Sequence, residues 1–271
     1  MEESRLIEMI KRNPSIITTI NNPTDKMKLL ALGRNGLLLK NIENPTDEMK
    51  ELALESNVRS IQYIDEPSEK MMIKAVNDGW SILDYIKNPT DKVIRLAIDK
   101  SGWAIQYVKN PSEELQLLAV RKNYDSIKYI QNPSEKVQEE SVKISYDALR
   151  YIKSPSFNTQ LLAVKSNESA VRLMHDINKD KAIEFLKVNV LVIKHLPRDI
   201  QKEINLEELK EILKEVLSSE NVEEKYVRDF LNCTAIDRNS ETFAMDKILF
   251  IYKYGSKKSK KIAVDEKLKI M

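Results

Sequence analysis

Proline recurs along this chain at a fixed interval, and that interval limits the folds open to it. Seven of the nine prolines are spaced 22 residues apart: Pro23, Pro45, Pro67, Pro89, Pro111, Pro133 and Pro155. A self-similar period of roughly 20–50 residues is typical of solenoids and other repeat arrays. Two flanking segments, 1–22 and 177–198, keep the pattern without the opening proline. The sequence therefore divides into nine repeats over 1–198, numbered here from 1 to 9, with the proline at position 1.

The first half of each repeat has the features of a helix. In Asn44-Pro45-Thr46-Asp47, an asparagine before a proline predicts Asn as the N-cap and Pro as the first helical residue. Apolar residues at positions 5, 8, 9 and 10 then form a stripe wide enough to pack between neighbouring repeats. Position 13 is mostly Asn, Ser or Gly, and we expect it to end the helix in a left-handed conformation.

Position 9 is a small residue in the central repeats. Its members are Ala31, Ala53, Ala75, Ala97, Ala119, Ser141 and Ala163. A small side chain there predicts that the backbones of two helices approach closely. Repeat 9 departs from the rule with Phe185, which predicts that the stacking changes at that end.

A shorter apolar segment fills the second half of the repeat. Its apolar residues lie at positions 17 and 20, for example Ile61 and Ile64. Spacing of three over about seven residues predicts one or two turns of α or 3₁₀ helix. A short strand, which would make an α/β horseshoe, is the alternative, although the alternating Leu-x-Leu run of such horseshoes is absent. Because one such pair cannot bury its own apolar face, the repeats must be stable as a stacked array.

The repeat motif resembles that of a known group of proteins. The segment NPSEELQLLAV, residues 110–120, resembles the NPSEEVQLAAV-type units of bacterial and phage repeat proteins of unassigned function. In its length and its pairing of a long with a short helix, the repeat is also similar to leucine-rich variant repeats, which form a right-handed superhelix. The resemblance covers about 1–198 and implies a binding module of bacterial or phage origin.

The 22-residue period ends at residue 198. Segments 206–217 and 222–231 keep helical spacing, and an apolar stretch from 242 to 254 ends at Gly255 before the basic closing run. We expect further helices here, with a hairpin of 247–254 and 260–270 as the alternative. The predicted fold is thus an all-α solenoid of nine two-helix repeats, residues 1–198, with a mainly helical C-terminal cap or subdomain, residues 199–271.

Two positions of the repeat, here called columns because stacking would align them, hold basic residues in repeats 6–9. Position 11 holds Arg121, Lys143, Lys165 and Lys187, and position 18 holds Lys128, Arg150, Arg172 and Lys194. Stacking would align each column into a ladder suited to phosphates or to an acidic protein face. The alternative is an ordinary solvated helix surface, because acidic residues are almost as frequent in these repeats.

Aromatic residues form a second set of candidates. Tyrosines recur at position 19, where packing between repeats is the favoured interpretation and base stacking the alternative: Tyr63, Tyr85, Tyr107, Tyr129 and Tyr151. Four more aromatics lie at the turn between the paired helices, namely Trp80, Trp103, Tyr124 and Tyr146. We expect these to be accessible, and Trp and Tyr often dominate protein interfaces.

Residue types that carry catalysis or cofactors are sparse. The chain has no glycine-rich phosphate loop, and His175 and His195 lack any metal-ligand spacing. The formal charge is only +2, from 44 basic and 42 acidic residues, so no global field attracts nucleic acid. Cys233 is the only cysteine, and no apolar run is long enough to span a membrane. We expect a cytoplasmic protein without catalytic residues, cofactor, metal site or membrane contact.

These observations predict a non-enzymatic scaffold that binds a macromolecule. Another protein is the leading partner class, and the chain would act as an adaptor or inhibitor, an expectation that the resemblance to phage proteins supplies. The alternative is nucleic-acid binding along the basic ladder of repeats 6–9. A more remote alternative is a DNA glycosylase similar to HEAT-like helical-repeat enzymes.

Overall fold

The structure, a computed structural model, describes residues 2–268 and confirms an all-α repeat fold. Residues 1 and 269–271, the last of which end the closing run, lie outside the described residues. The described chain divides into two compact units, unit 1 up to Gln131 and unit 2 from Asn132 onwards. The end of the 22-residue period at residue 198 therefore falls inside unit 2.

Unit 1 contains repeats 1–6, each an α-helix followed by a 3₁₀ helix. The α-helices are α1 (Glu2–Arg12), α2 (Asp25–Arg34), α3 (Asp47–Ser56), α4 (Glu69–Asp78), α5 (Asp91–Lys100) and α6 (Glu113–Lys122). The 3₁₀ helices are Pro14–Thr19, Gly36–Asn41, Val58–Tyr63, Trp80–Tyr85, Gly102–Tyr107 and Tyr124–Tyr129. The 3₁₀ alternative for the second segment is thereby confirmed, and the strand alternative is wrong.

The prediction that Asn is the N-cap is wrong. Helix α3 begins at Asp47, and its N-cap is Thr46, whose hydroxyl accepts a hydrogen bond from the Met49 N–H at 3.3 Å. The carboxylate of the next residue lies in the first turn, where the helix dipole favours negative charge. Proline precedes the cap, and Asn44 adopts a left-handed conformation with φ 47°, which Asn tolerates better than most residues. The asparagine therefore makes the turn between repeats.

The left-handed conformation predicted for position 13 is also wrong. Asn57 has an extended backbone, with φ −157° and ψ 112°. Its N–H donates to the Ala53 carbonyl at 2.9 Å and ends α3, while its side chain accepts from the Arg59 N–H at 3.0 Å. One polar residue thus ends the α-helix and caps the 3₁₀ helix, which explains the preference for Asn and Ser.

The core of unit 1 follows the repeat positions. In repeats 2–6, positions 5, 9 and 10 are buried, as in Val93, Ala97 and Ile98, each 0% exposed, whereas position 8 is half-buried where it is leucine. One close approach lies between a glycine of one repeat and position 9 of the next. A Cβ atom built on Gly36 would lie 2.1 Å from the carbonyl oxygen of Ala53, so the backbones of repeats 2 and 3 are in direct contact.

Unit 2 contains repeats 7–9 and the C-terminal helices. Its repeats form α7 (Glu135–Ile144), α8 (Phe157–Ser166) and α9 (Lys179–Val188), followed by 3₁₀ helices Tyr146–Tyr151, Glu168–Leu173 and Val190–Lys194. Beyond them lie α10 (Arg198–Glu203), α11 (Leu206–Leu217), α12 (Glu224–Asn232), β1 (Ile236–Asp237), β2 (Phe243–Ala244), α13 (Lys247–Tyr254) and α14 (Lys257–Leu268). The hairpin alternative for the last segments is wrong within the described residues, because both are helical.

The C-terminal helices complete unit 2 through buried hydrogen bonds. Tyr226 of α12 donates to the carbonyl oxygen of Leu186 in α9 at 2.8 Å. Ser259 of α14 donates to the carbonyl oxygen of Leu217, the last residue of α11, at 2.7 Å. Both acceptors lie near helix C-termini, where carbonyls lack partners within their own helix. The C-terminal helices therefore donate hydrogen bonds to carbonyl groups at the ends of α9 and α11.

Candidate functional site

Two of the predicted aromatic residues come together in unit 1. Trp80 begins the 3₁₀ helix of repeat 4, and Trp103 is the second residue of the 3₁₀ helix of repeat 5. Their ring centroids are 6.4 Å apart at an interplanar angle of 70°, and Trp80 lies 6.2 Å from the ring of Tyr107. Edge-to-face packing of this kind is favourable for aromatic rings. Trp80, Trp103 and Tyr107 are called the aromatic cluster below.

Polar contacts fix the indole of Trp103 on the exposed side of this cluster. Its Nε1–H donates to Asp125 Oδ1 at 2.8 Å, and Lys128 Nζ donates to Asp125 Oδ2 at 3.2 Å. The same ammonium lies 5.2 Å from the Trp103 ring centroid and 5.0 Å from that of Tyr129, within the range of a cation–π interaction. Trp103 remains 37% exposed, so the ring is oriented but accessible.

The charges around the cluster shift two pKa values. Desolvation lowers the pKa of Lys128, but the hydrogen bond and charge of Asp125 outweigh it and raise that pKa above its usual range. For Tyr107, burial raises the pKa, and the nearby charge of Asp84 adds to the shift. Both groups therefore keep their protons at neutral pH, and Lys128 stays positively charged beside the cluster.

The remaining aromatic candidates lie elsewhere. Tyr124 and Tyr146 are half-buried, and each begins the 3₁₀ helix of its repeat, Tyr124 in unit 1 and Tyr146 in unit 2. In the tyrosine column, Tyr107 packs against Trp80 of the preceding repeat, as the packing interpretation predicts. Tyr129 and Tyr151 are more open, at 38% and 41% exposed.

The basic column at position 11 is engaged with carboxylates in unit 2. Lys143 pairs with Glu139 at 3.6 Å, and Lys165 pairs with Glu223 at 2.5 Å. Lys187 contacts both Glu184 at 3.0 Å and Glu215 of α11 at 3.1 Å, and the hydrogen bonds to these two glutamates raise its pKa. Arg121, in unit 1, is exposed. The lysines of repeats 8 and 9 thus form ion pairs with glutamates of the C-terminal segment. They are not a row of unpaired cations.

The basic column at position 18 is more open. Arg150 pairs with Asp147 at 2.9 Å. Arg172 and Lys194 are exposed, and within residues 2–268 neither forms an ion pair or a side-chain hydrogen bond. Burial lowers the pKa of the neighbouring His195, and the charge of Arg172 lowers it further. Position 18 of repeats 8 and 9 therefore keeps its positive charge unneutralised.

The residues weighed for catalysis are not assembled into a site. Cys233 is a free thiol, fully buried. In the part of the chain that the structure describes, no group of three or more His, Cys, Asp or Glu side chains is arranged to hold a metal ion. Across residues 2–268, no helix is both long enough and apolar enough to cross a membrane. Of the predicted site residues, those of the aromatic cluster are brought together, and Arg172 and Lys194 of position 18 are exposed without an ion pair among residues 2–268.

Comparisons with known proteins found no match among protein-family models, curated proteins or solved structures. The kinship with NPSEEVQLAAV-type repeat proteins therefore stays a prediction. The class that the fold itself defines is an all-α helical-repeat protein.

Proposed function

We propose that this chain is a non-enzymatic repeat scaffold and that its aromatic cluster anchors a protein partner. The single observation that carries the proposal is the accessible indole of Trp103, held by Trp80 on one side and by Asp125 on the other. Tryptophan and tyrosine are enriched among the residues that contribute most to protein interfaces. A ring already fixed in place loses little rotational freedom on binding, which favours affinity.

The ion pairs at position 11 favour a protein partner over nucleic acid. A phosphate backbone would have to compete with Glu223 for Lys165 and with Glu184 and Glu215 for Lys187. Nucleic-acid binding depends on many such cations being free to displace counterions. The proposal includes an adaptor or inhibitor role in the bacterial cytoplasm for a protein that the bacterium or a phage encodes. Its support is the resemblance of the repeat motif to bacterial and phage repeat proteins.

The test is affinity capture with the full chain as bait and extracts of the native host as the source. Wild type is compared with Trp103→Ala, and with Tyr252→Ala as a control, because Tyr252 is 74% exposed and lies in α13, outside the cluster. We expect a partner that wild type and Tyr252→Ala retain and Trp103→Ala loses. A set of retained proteins that is identical for all three baits would contradict the proposal.

A second variant separates binding from folding. Ser81 is exposed and follows Trp80 in the chain, so Ser81→Arg places a bulky charge beside the cluster without removing a packed ring. We expect Ser81→Arg to lose the partner while its thermal unfolding midpoint, measured by circular dichroism, stays that of wild type. Binding of labelled DNA and RNA at two salt concentrations tests the alternative, and tight, salt-sensitive binding would favour it.

A further inference from the structure

The loop edge of unit 2 is strongly basic. This edge, called the basic edge below, consists of positions 18–22 of repeats 7, 8 and 9, which are residues 150–154, 172–176 and 194–198. It carries five basic residues against one acidic residue, and that acid, Asp176, is already paired with Lys181. The same positions of repeats 2–5 in unit 1 carry three basic and four acidic residues. The charge is thus a property of these three repeats and not of the repeat motif.

A cleft opens within the basic edge. It has a volume of about 890 Å³ and lies between the segments of repeats 7 and 8, lined by residues 149–155 and 172–176. Ile152 and Met174 form an apolar floor and are 7% and 9% exposed. Arg150, Lys153 and Arg172 line the same cleft. The cleft therefore combines an apolar floor with a cationic rim, which suits a ligand that is both apolar and acidic.

Two of the cations on the rim are not neutralised by the protein. Arg150 is paired with Asp147. Lys153 and Arg172 are exposed, and neither has an ion pair with any residue from 2 to 268. Arginine can bind a carboxylate through two parallel hydrogen bonds, which gives such a rim geometric selectivity as well as charge.

Unit 2 itself shows what its basic side chains bind. Lys187 and Lys179 contact Glu215 and Glu208 of α11, at 3.1 Å and 2.9 Å. Lys165 contacts Glu223, which precedes α12. On the helix side, the chain therefore supplies acidic segments of its own to cover the basic column. On the basic edge, no acidic segment among the described residues covers Lys153 or Arg172 in the same way.

We propose that this cleft binds an acidic segment of a partner protein, with carboxylates on Arg172 and Lys153 and an apolar side chain over Ile152 and Met174. Bases of a single-stranded nucleic acid would stack on aromatic platforms. Tyr151 and His175 line the cleft, but its buried floor, Ile152 and Met174, is aliphatic, which favours an apolar side chain. This surface is distinct from the aromatic cluster, so the inference does not rest on the proposed function.

The probe is a fluorescein-labelled peptide that alternates pairs of glutamate and leucine, titrated with the full chain in fluorescence anisotropy. Two further probes replace either all glutamates by glutamine or all leucines by serine. We expect the first peptide to bind and each replacement to weaken binding, because both the rim and the floor are used. Binding that is unaffected when leucine is replaced would overturn the role of the floor.

Charge-reversal variants locate the site. Lys153→Glu with Arg172→Glu is matched by Lys109→Glu with Lys40→Glu, because these lysines occupy positions 21 and 18 of repeats in unit 1. Both double variants change the net charge by the same amount. We expect the first to weaken peptide binding by about tenfold or more, as expected when cations that contact the ligand are lost, and the second to leave it nearly unchanged. Equal weakening by both would show attraction by net charge alone and overturn the proposal.

Two more measurements exclude the other interpretations. Trp103→Ala should leave peptide binding unchanged, so that failure of the aromatic cluster and failure of this cleft are distinguishable. A labelled oligothymidylate of similar charge should bind more weakly than the peptide. Tighter binding of the oligonucleotide, lost in the Lys153→Glu, Arg172→Glu variant, would identify a nucleic-acid site and overturn the proposal.

Discussion

Unit 1 and the end of unit 2 use the same repeat but pack it differently. In unit 1, neighbouring repeats are in direct backbone contact at two glycines, Gly36 and Gly102: a Cβ atom on Gly102 would lie 2.2 Å from the Ala119 carbonyl oxygen. In repeat 9, Phe185 replaces the small residue and stacks on Phe157 at 6.1 Å. Asn189 then donates to the Val164 carbonyl oxygen at 2.9 Å. Repeats with small residues at their contact can pack closely on each other. Repeat 9 instead contacts repeat 8 through a larger side chain, Phe185, and a side-chain hydrogen bond from Asn189.

Removing Phe185 should have the largest effect on stability. Its side chain is fully buried, so Phe185→Ala leaves a cavity and should lower the free energy of unfolding by about 3–5 kcal/mol. Phe157→Ala is the control, since its ring is 39% exposed and its loss should matter less. Urea denaturation followed by far-ultraviolet circular dichroism measures both. A smaller loss for Phe185→Ala than for Phe157→Ala would contradict this account of repeat 9.

The close approach in unit 1 is tested by Gly102→Ala. The added methyl group meets a backbone carbonyl that cannot rotate away, and such overpacking costs about 1–3 kcal/mol. Gly79→Ala is the matched control, because no atom lies within 4 Å of its Cβ position and its φ of −172° suits any residue. It should be neutral or stabilise by up to about 1 kcal/mol. Both tryptophans lie in unit 1, so their fluorescence during urea denaturation reports on this unit.

Removal of the buried hydrogen bond from Tyr226 to the Leu186 carbonyl should have an intermediate effect on the free energy of unfolding. Tyr226→Phe removes the donor to the Leu186 carbonyl and should cost about 1–3 kcal/mol, because that oxygen stays buried without a partner. Tyr252→Phe, at a residue 74% exposed, should change nothing. Thermal unfolding of the two variants measures the difference, and equal midpoints would show that the bond contributes nothing.

The same tyrosine gives a pH dependence with a defined sign. Burial raises the pKa of Tyr226 well above its usual range. Above about pH 10, where an unfolded tyrosine loses its proton, the folded chain still binds that proton and the unfolded chain does not. Stability therefore falls as the pH rises through this range. In urea denaturation at a series of alkaline pH values, the decline should be shallower for Tyr226→Phe than for wild type.

The sequence predicted the array because most of the repeats contain the same local signals. The turn at Asn-Pro, the stripe at positions 5, 9 and 10 and the three-residue spacing of the second segment all act within one repeat. The caps were assigned wrongly because Asn44 and Thr46 are both good N-cap residues, and only the backbone shows that Asn44 is left-handed while Thr46 caps.

The surfaces were harder to predict because their contacts cross repeats. Trp80 and Trp103 occupy positions 14 and 15, so no single column predicts that their rings meet. Glu223 and Glu215, which pair with Lys165 and Lys187, lie beyond residue 198, where no period aligns them with the repeats. Spacing could therefore identify the basic columns, but only tertiary structure shows which of the two is covered.

The smallest predicted effect concerns a polar atom that the repeat does not need. Ser126 is fully buried at position 16, and its hydroxyl has no hydrogen-bond partner among residues 2–268. Ala104 and Ala148 occupy the same position of the neighbouring repeats, so the site accepts a methyl group. Ser126→Ala should therefore be neutral or stabilise by up to about 1–2 kcal/mol, since a buried unsatisfied hydroxyl is removed.

Ser101→Ala is the matched control for this change. Its hydroxyl caps the 3₁₀ helix by accepting from the Trp103 N–H at 3.4 Å, and loss of a cap costs about 0.5–2 kcal/mol. Each substitution removes one serine hydroxyl from unit 1. Opposite signs of the change in the free energy of unfolding, measured by urea denaturation, would therefore trace the difference to hydrogen bonding. A loss of stability for Ser126→Ala as large as that for Ser101→Ala would mean that the Ser126 hydroxyl stabilises the fold, and that the alanine of the neighbouring repeats is not equivalent to it.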